Sequence, residues 1–314
     1  MKKIITVTLN PAFDLHYDLD SFIPQRENYV NAVVCDAGGK GINISRALKF
    51  NGVENTAYVI LGRENCAQFE HDLTADGLRY YPLYVDGRIR ENITLHPDDS
   101  AETRISLDNF SVTREILCEL REKLKEAVDD NTLVAFSGRL PRGVEKEEVL
   151  GFLREIISVG AKVAVDSNSL TAEDLSSVRP WFIKPNEQEI EAFLGRKITD
   201  ASQAAEAARE LVRRGVSREA MISLGGAGAV WSDGQRCVSV SVPTINAPVS
   251  TIGAGDSAVA GYLAACAKGY SVEDSLRLAC AFGTAACMTE GTRPPMPEDI
   301  ENIFKNISIK EIWN

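Results

Sequence analysis

The sequence is most informative at Ser250-Thr251-Ile252-Gly253-Ala254-Gly255-Asp256-Ser257-Ala258, a glycine-rich segment directly before an apolar stretch that is rich in small residues. Because Gly253 and Gly255 have no side chains, backbone N–H groups can converge there at a helix N-terminus and stabilise the negative charge of a transferring phosphoryl group. Phosphate repels a neighbouring carboxylate, so Asp256 is best explained as the group that accepts a proton from an attacking hydroxyl. The segment therefore predicts phosphoryl transfer with Asp256 as the base.

Two other interpretations of this segment stay open. Asp256 could simply cap a helix after a glycine turn. Residues 253–258 also fit the pattern G-x-G-x-x-A of NAD-dependent oxidoreductases, although no βαβ unit with a ribose-binding acid about 20 residues further on completes it. A P-loop is excluded, because Gly41 follows Gly39-Lys40 where that motif requires serine or threonine.

A second glycine-rich loop precedes a helical pattern near the N-terminus, at Asp36-Ala37-Gly38-Gly39-Lys40-Gly41-Ile42-Asn43. Its glycines allow close approach of the backbone, while Lys40 adds a cation and Asn43 an amide. This combination suits a polyhydroxylated, anionic ligand better than an apolar one. An ordinary loop is the alternative.

Apolar, β-rich runs that alternate with helical patterns indicate an α/β fold. The runs lie at residues 4–9, 132–136, 162–165, 181–183 and 220–224. Apolar residues recur at helical spacing over residues 144–159, 201–214 and 257–287, the last as two helices that separate near Gly269. This alternation predicts a mainly parallel sheet with helices on both faces.

Residues 12–35 and 83–107 break this pattern, because they alternate apolar with polar residues and contain turn signals such as Asp86-Gly87. We expect them to form antiparallel strands outside the main sheet. A small sheet beside a large α/β body makes a natural lid, and its open face needs covering by substrate or by another subunit. The prediction is one α/β domain over residues 1–314 with a lid inserted in two segments, which allows a homodimer through the lid.

The composition argues against several functional classes. Of the 314 residues, 44% are hydrophobic and 25% are charged, which is ordinary for a globular protein. The net charge of -11 argues against binding to nucleic acid or acidic membranes. No apolar run is long enough for a signal peptide or a membrane span, so the cytoplasm is expected. The seven cysteines lack CxxC spacing and the three histidines are scattered, which argues against a zinc site.

The two glycine motifs together resemble the signatures of a known family, the ribokinase-like, phosphofructokinase-B (pfkB) carbohydrate kinases. Residues 38–43 are similar to its N-terminal signature and residues 253–256 to its C-terminal one. Supporting similarities follow in the same order along the chain at residues 8–14, 137–141, 184–189 and 223–229. Residues 8–14 and the loop that contains Lys40 are most similar to the sugar-phosphate branch, the 1-phosphofructokinases and tagatose-6-phosphate kinases.

The resemblance implies a Rossmann-type, mostly parallel central sheet flanked by helices, with a small β-sheet lid. It also implies transfer of a phosphoryl group from ATP to a phosphorylated sugar, with Mg²⁺ as cofactor. A sugar-phosphate sensor without catalysis is an alternative, but such a protein would be expected to have lost the base. Which hexose phosphate is used, which hydroxyl accepts the phosphoryl group and whether a monovalent cation assists are left open.

The resemblance further implies three groups of site residues. The catalytic group consists of Asp256 and an anion hole of Gly253, Ala254 and Gly255. The substrate group consists of Asp14, Gly38, Gly39, Lys40, Asn43, Arg90, Asn92, Ser137 and Arg139. The nucleotide group consists of Lys184, Asn186, Glu189, Ser223, Gly225, Gly228 and Thr251, of which Asn186 and Glu189 are expected to hold Mg²⁺ through water.

Several of these assignments have a plainer structural alternative. Asp14 suits a turn, and Arg90 suits a solvated strand face. Asn186 and Glu189 suit a helix N-terminus, where they would complete caps and complement the helix dipole, and both roles can hold together.

The sequence departs from the family pattern at three places. Arg139 stands where relatives usually have serine, and it adds positive charge and bulk near the expected sugar site. Residues 24–29 lack the common Gly-Glu pattern, and residues 166–169 replace the usual Asp-Thr-Ser-Gly. A phosphorylated sugar is therefore favoured, while its identity stays open.

Overall fold

Two β-sheets organise the chain, of which the computed structural model describes residues 1–107, 110–245 and 247–313. The strands in these residues are β1 (Lys3–Thr8), β2 (Ala12–Leu19), β3 (Ala32–Gly38), β4 (Thr56–Gly62), β5 (Tyr80–Val85), β6 (Arg90–Pro97), β7 (Thr103–Ser106), β8 (Thr132–Ser137), β9 (Lys162–Asp166), β10 (Phe182–Ile183), β11 (Glu219–Ser223), β12 (Ala229–Ser232), β13 (Cys237–Ser241) and β14 (Ser308–Trp313). The helices are α1 (Lys40–Phe50), α2 (Cys66–Ala75), α3 (Arg114–Ala127), α4 (Lys146–Ser158), α5 (Ala172–Val178), α6 (Glu187–Leu194), α7 (Ala201–Arg213), α8 (Ala254–Lys268), α9 (Val272–Ala286) and α10 (Pro297–Asn306).

The larger sheet has the strand order β14-β13-β12-β11-β10-β9-β8-β1-β4-β5. The strands from β11 to β5 pair in parallel. Strands β12, β13 and β14 extend this sheet in antiparallel pairs. The predicted mostly parallel α/β sheet is confirmed, and it carries an antiparallel extension that was not predicted from the sequence.

Helices cover both faces of the larger sheet. Neighbouring residues of a strand point to opposite faces, and in β1 the side chain of Ile4 packs into a cluster with α8, α9 and α10, whereas Ile5 packs into a cluster with α3, α4 and α7. This two-sided burial explains why the central strands read as continuous apolar runs. None of the helices in the described ranges is long and apolar enough to cross a membrane.

The smaller sheet has the strand order β3-β2-β6-β7. Its outer pairs are antiparallel, as predicted, but the central pair of β2 and β6 is parallel, so the prediction of antiparallel strands is wrong for this pair. The reason is topological. Strand β1 leads directly into β2, and β5 leads into β6. Because β1 and β5 run in the same direction in the larger sheet, β2 and β6 enter the smaller sheet in the same direction. Residues 83–85, assigned above to the lid, belong to β5 in the larger sheet. The alternation of apolar and polar residues in this segment is typical of an edge strand. The same alternation occurs in a lid strand, so the sequence pattern does not distinguish the two.

Candidate active site

The two glycine motifs meet at the carboxyl edge of the larger sheet, where ligands of open α/β sheets bind. Asn43 Nδ2 donates a hydrogen bond of 2.9 Å to Oδ2 of Asp256, which is 213 residues away in sequence. Asp256 is the third residue of α8, and only 7% of its surface is exposed. Gly39, the N-cap of α1, has a φ angle of 114°, in the left-handed region that favours glycine.

The helix-capping alternative does not account for Asp256. The N-cap of α8 is Gly253, which has a left-handed backbone with φ of 76° and makes no side-chain capping hydrogen bond. Among the described residues, the carboxylate of Asp256 accepts its hydrogen bond from Asn43 and not from the helix backbone. The dinucleotide alternative also lacks its structural context, because α8 leads into α9 and not into a parallel strand.

A cluster of charges surrounds Asp256. Burial raises the pKa of Asp256 to about 7, the ammonium of Lys40 opposes this rise, and the carboxylate of Asp166 adds to it. Lys40 Nζ lies 2.7 Å from Asp166 Oδ1. Burial disfavours the charged form of both partners, but the charge of Asp166 raises the pKa of Lys40, and the charges of Lys40 and Lys184 lower the pKa of Asp166. Lys40 and Asp166 therefore form a charged pair at neutral pH, whereas Asp256 can exchange a proton there.

Polar side chains of the smaller sheet are linked in a series. Asp14 on β2 lies opposite Asn92 on β6, and Asn92 Nδ2 donates a hydrogen bond of 2.9 Å to Asp14 Oδ1. Arg90 donates in turn to Asn92 Oδ1 at 3.2 Å. Burial raises the pKa of Asp14, while the bond from Asn92 and the charge of Arg90 act in the opposite direction. A Cβ at Gly38 would collide with the Asp14 carboxylate. Four predicted substrate residues, Asp14, Gly38, Arg90 and Asn92, therefore lie next to one another in space.

Four buried polar atoms near this edge have no hydrogen-bond partner within the described ranges. They are Oγ1 of Thr8, Nδ2 of Asn10, Oδ1 of Asn43 and Oγ of Ser137. An unpaired buried polar group is unfavourable, so these atoms fit a ligand that carries hydroxyl groups. The sequence alone assigns no role to Asn10. The available signal is its position shortly after β1, at the edge where parallel strands end.

Arg139 lies two residues beyond β8 at the same edge. Gly138 N donates a hydrogen bond of 3.0 Å to the backbone oxygen of Asp166, so this loop lies beside the pair of Lys40 and Asp166. The side chain of Arg139 is exposed and makes no hydrogen bond or ion pair with any residue that the structure describes. It is a cation at the rim of the site that is able to meet an anionic ligand.

A cavity of about 530 Å³ adjoins the N-terminus of α8. Ala254 and Gly255 of the predicted anion hole line it, and Lys184 packs against Gly255, where an added Cβ would lie 3.1 Å from Nζ. Six of the seven predicted nucleotide residues line this cavity: Lys184, Asn186, Ser223, Gly225, Gly228 and Thr251. The structure thus brings most of this group together next to the predicted anion hole.

The remaining wall of the cavity is not predicted from the sequence. Gly283 in α9 allows a close approach of α8, since a Cβ there would lie 3.1 Å from that of Ala258. Small residues along α9 were the available signal. The unpredicted lining residues include Cys280, Gly283 and Thr284 of α9, Cys287 directly after it, and residues 242–245 between β13 and α8.

Asn186 and Glu189 form a reciprocal capping box at the start of α6. Asn186 N donates to Glu189 Oε2 and Glu189 N donates to Asn186 Oδ1, each at 2.9 Å. Helix capping, the alternative role suggested for Asn186 and Glu189 by the sequence, is therefore present. Glu189 does not line the large cavity and instead borders a small one at the end of β9. In the described part of the chain, no three His, Cys, Asp or Glu side chains are grouped to hold a metal ion.

Comparisons with known proteins agree over nearly the whole chain. The family model described as pfkB family carbohydrate kinase matches residues 7–299. The 1-phosphofructokinase of Escherichia coli (strain K12) is 32% identical over 91% of this chain and 91% of its own length. The ATP-dependent 6-phosphofructokinase isozyme 2 of the same strain is 28% identical over 98% of this chain and 100% of its own length. A crystal structure of phosphofructokinase-2 from Escherichia coli in complex with potassium has a TM-score of 0.89 and 27% identity, and the match covers 98% of this chain and 99% of that one.

The fold and these similarities define a phosphotransferase that uses an alcohol group as acceptor. The chain belongs to the pfkB family of carbohydrate kinases. ATP is the phosphoryl donor that membership of this family implies. The predictions of a ribokinase-like fold and of a sugar-phosphate kinase are confirmed, and the dinucleotide alternative has no support in the fold.

Proposed function

We propose that the chain is a cytoplasmic 1-phosphofructokinase, which transfers the γ-phosphoryl group of ATP to fructose 1-phosphate and releases fructose 1,6-bisphosphate and ADP. Relatives with this name from Escherichia coli and Haemophilus influenzae are 32% and 30% identical, each over 91% of the chain. The observation that carries the catalytic assignment is the hydrogen bond between Asn43 and Asp256. It joins the loop suited to a sugar to a buried carboxylate beside a helix N-terminus.

Asp256 acts as the general base. It takes the proton of the attacking sugar hydroxyl as that oxygen bonds to the γ-phosphorus in line with the departing ADP. A pKa of about 7 suits this task, because a base is most effective when its pKa lies near the working pH. The neutral amide of Asn43 orients one carboxylate oxygen and leaves the negative charge of Asp256 uncompensated by a cation in direct contact.

The N-terminus of α8 stabilises the transferring group. The first N–H groups of a helix have no partner within the helix and carry a partial positive charge. Gly253 has no side chain to cap them, so those around Gly255 are available to the oxygens of the phosphoryl group. Lys184, which packs against Gly255, adds a full positive charge.

The sugar phosphate binds between the two sheets. Asp14, Gly39 and Asn43 hold its hydroxyl groups, and burial of these groups excludes competing water. Arg90 on the smaller sheet binds the phosphate that the substrate already carries, since a guanidinium group matches phosphate oxygens with two parallel hydrogen bonds. The exposed Arg139 attracts the same phosphate from the rim of the site.

Mg²⁺ accompanies the nucleotide in this proposal. Glu189 and Asn186 present carboxylate and amide oxygens, the donor type that this hard cation prefers, and would hold it through water. When bound, the cation neutralises charge on the phosphates. The capping box keeps both side chains in a fixed orientation at the start of α6.

We also infer that a monovalent cation assists turnover. The related phosphofructokinase-2 was crystallised with potassium. Turnover in potassium is expected to exceed turnover in tetramethylammonium at equal ionic strength.

A homodimer through the smaller sheet completes the proposal. Val33, Val34 and Ile105 on its edge strands are exposed apolar side chains, with 56%, 38% and 45% of their surfaces accessible. Exposed apolar strands at a sheet edge are favourable sites of association. Light scattering during gel filtration should give twice the chain mass for the wild type and the chain mass for Val33→Lys.

The substrate assignment is tested by coupled ADP-release assays. Fructose 1-phosphate, fructose 6-phosphate, tagatose 6-phosphate and unphosphorylated fructose are compared by kcat/KM, and the product is identified by phosphorus NMR. The highest kcat/KM is expected for fructose 1-phosphate. A preference for either 6-phosphate would refute the proposed substrate, and sugar-phosphate binding without ADP release would indicate a sensor.

A further inference from the structure

The first turn of α1 connects two carboxylates that come from different parts of the fold. Lys40 and Asn43 are three residues apart and are therefore neighbours on the helix surface. Lys40 Nζ contacts Asp166 at 2.7 Å, and Asn43 Nδ2 donates to Asp256 at 2.9 Å. Asp166 ends β9, whereas Asp256 lies in α8. The charged donor thus holds one carboxylate, and the neutral donor holds the other.

This division matters because Lys40 also faces Asp256. The charge of Asp256 contributes to the raised pKa of Lys40, so the two groups interact through space. In direct contact, the ammonium would neutralise Asp256 and occupy an oxygen that has to accept a proton. Instead, the ammonium contacts Asp166, and among the described residues the carboxylate of Asp256 receives only the amide hydrogen of Asn43.

We propose that Asp166 is a positioning residue, which holds the Lys40 ammonium away from Asp256 and so keeps that carboxylate available as the base. The proposal rests on the proposed catalytic role of Asp256. It gives Asp166 a task that neither the motifs nor the family resemblance assigns to it. Asp166 is 7% exposed, whereas the side chain of Lys40 is 35% exposed, so solvent reaches their contact only from the side of the ammonium.

The charges around Asp256 agree with this arrangement. Lys40 from α1 and Lys184 from the segment after β10 lower its pKa, while burial and the carboxylate of Asp166 from β9 raise it. Loss of Asp166 would remove its negative charge and would also release Lys40 toward Asp256. Both changes lower the pKa of Asp256 and make it a weaker base.

The substitution Asp166→Asn tests this role, because the amide has nearly the same shape but forms no ion pair with Lys40. The pKa that limits kcat on the acid side, measured at saturating ATP and fructose 1-phosphate, is expected to fall by about one unit. The plateau value of kcat is expected to fall about tenfold. Asp166→Glu keeps a carboxylate, so the acid side of its profile of kcat against pH (the acid limb) should match that of the wild type. An unchanged acid limb in Asp166→Asn would overturn the proposal.

The decisive measurement compares Lys40→Met in two backgrounds. Loss of the ammonium raises the pKa of Asp256 in both. If Asp166 positions Lys40, the rise is larger in the Asp166→Asn background, because only there does the ammonium contact Asp256, and the double variant recovers kcat relative to Asp166→Asn. Equal rises, or no recovery, would mean that Asp166 acts only as a distant charge or as structural support, and the proposal would fail.

Failure of this proposal can be distinguished from failure of the catalytic assignment. Retained turnover in Asp256→Asn would show that Asp256 is not the base. If turnover is lost in Asp256→Asn but Lys40→Met has equal effects in both backgrounds, Asp256 remains the base and only the positioning role of Asp166 is refuted. Each variant is checked by ADP binding and thermal unfolding, and the comparison is repeated with Asp166→Ser so that a folding defect in one variant does not decide the result.

Discussion

The proposed nucleotide side and the proposed sugar side of the site are built in different ways. The 530 Å³ cavity on the nucleotide side is lined mainly by glycines and by small or apolar side chains of the larger sheet and its helices, so backbone and shape make most contacts. The sugar side depends on charged and amide side chains that hold one another, as Asp14, Asn92 and Arg90 do on the smaller sheet. In the proposed assignment, phosphoryl transfer depends on the core of the fold, whereas the choice of sugar depends on single side chains. Substitutions should separate accordingly into effects on kcat and effects on the KM of the sugar phosphate.

The largest effect is expected at Asp256, which lies where the two sides meet. Asp256→Asn should lower kcat by about 10²–10⁴-fold, because the amide cannot accept a proton. ATP affinity should change by less than about threefold, since the shape of the loop is preserved. Coupled ADP release gives kcat, and titration calorimetry gives the affinity for ATP.

A matched control for this substitution exists in the next helix. Asp274 is the third residue of α9, as Asp256 is of α8, but its side chain is 45% exposed and pairs with Arg277. Asp274→Asn should leave kcat unchanged. Turnover of Asp256→Asn within tenfold of this control would rule out the assigned base.

Arg90 tests the sugar side alone. Arg90→Ala should raise the KM for fructose 1-phosphate by about 10–100-fold, because it removes charge-assisted hydrogen bonds to the substrate phosphate, and it should change the KM for ATP by less than about twofold. Arg88→Ala is the control, since Arg88 lies two residues away, is 49% exposed and pairs with Glu91. A parallel rise in both KM values would show that the two sides are not independent.

The buried carboxylate should also make stability depend on pH. Burial raises the pKa of Asp256 to about 7 in the folded state, above the ordinary value of an aspartate in the unfolded chain. The folded protein therefore binds more protons between these values, and the contribution of Asp256 to stability, present at low pH, is lost as the pH rises through about 7. Asp256→Asn should raise the free energy of unfolding at pH 8 by on the order of 1–2 kcal/mol, with the gain vanishing toward pH 4. Urea unfolding of both proteins at the two pH values measures this difference, and a constant difference would contradict the burial of a charge.

The sequence predicts the elements of this fold better than their arrangement. The parallel strands from β8 to β11 and the helices α8 and α9 follow from apolar periodicity, because each is buried against the sheet. The parallel pairing of β2 with β6 does not follow, since it depends on the directions in which β1 and β5 leave the larger sheet. Periodicity describes one segment at a time, whereas pairing is decided between segments.

The candidate site shows the same limit. The glycine motifs, with their backbone requirements, are visible as patterns and lead to Asp256 and Asn43. Asp166 and Asn10 lie in segments that were compared with the family pattern, residues 166–169 and 8–14, but the sequence gives neither a role. Their place in the site comes from the ends of neighbouring strands and from contacts such as that between Lys40 and Asp166, 126 residues apart. Family resemblance therefore locates segments, whereas the task of a side chain such as Asp166 depends on what the fold brings beside it.

Arg139 provides the smallest and most specific test of how the two sides differ. Its exposed guanidinium is screened by solvent, so its attraction to the substrate phosphate is weak, on the order of 0.2–1 kcal/mol. Arg139→Ser, which introduces the residue usual in relatives, should raise the KM for fructose 1-phosphate about two- to fivefold at low salt, leave kcat unchanged and have little effect at about 0.5 M salt. Steady-state kinetics at the two salt concentrations measure this. A salt-independent rise would point to a direct, water-excluded contact, and a change in the KM for ATP would place Arg139 on the nucleotide side instead.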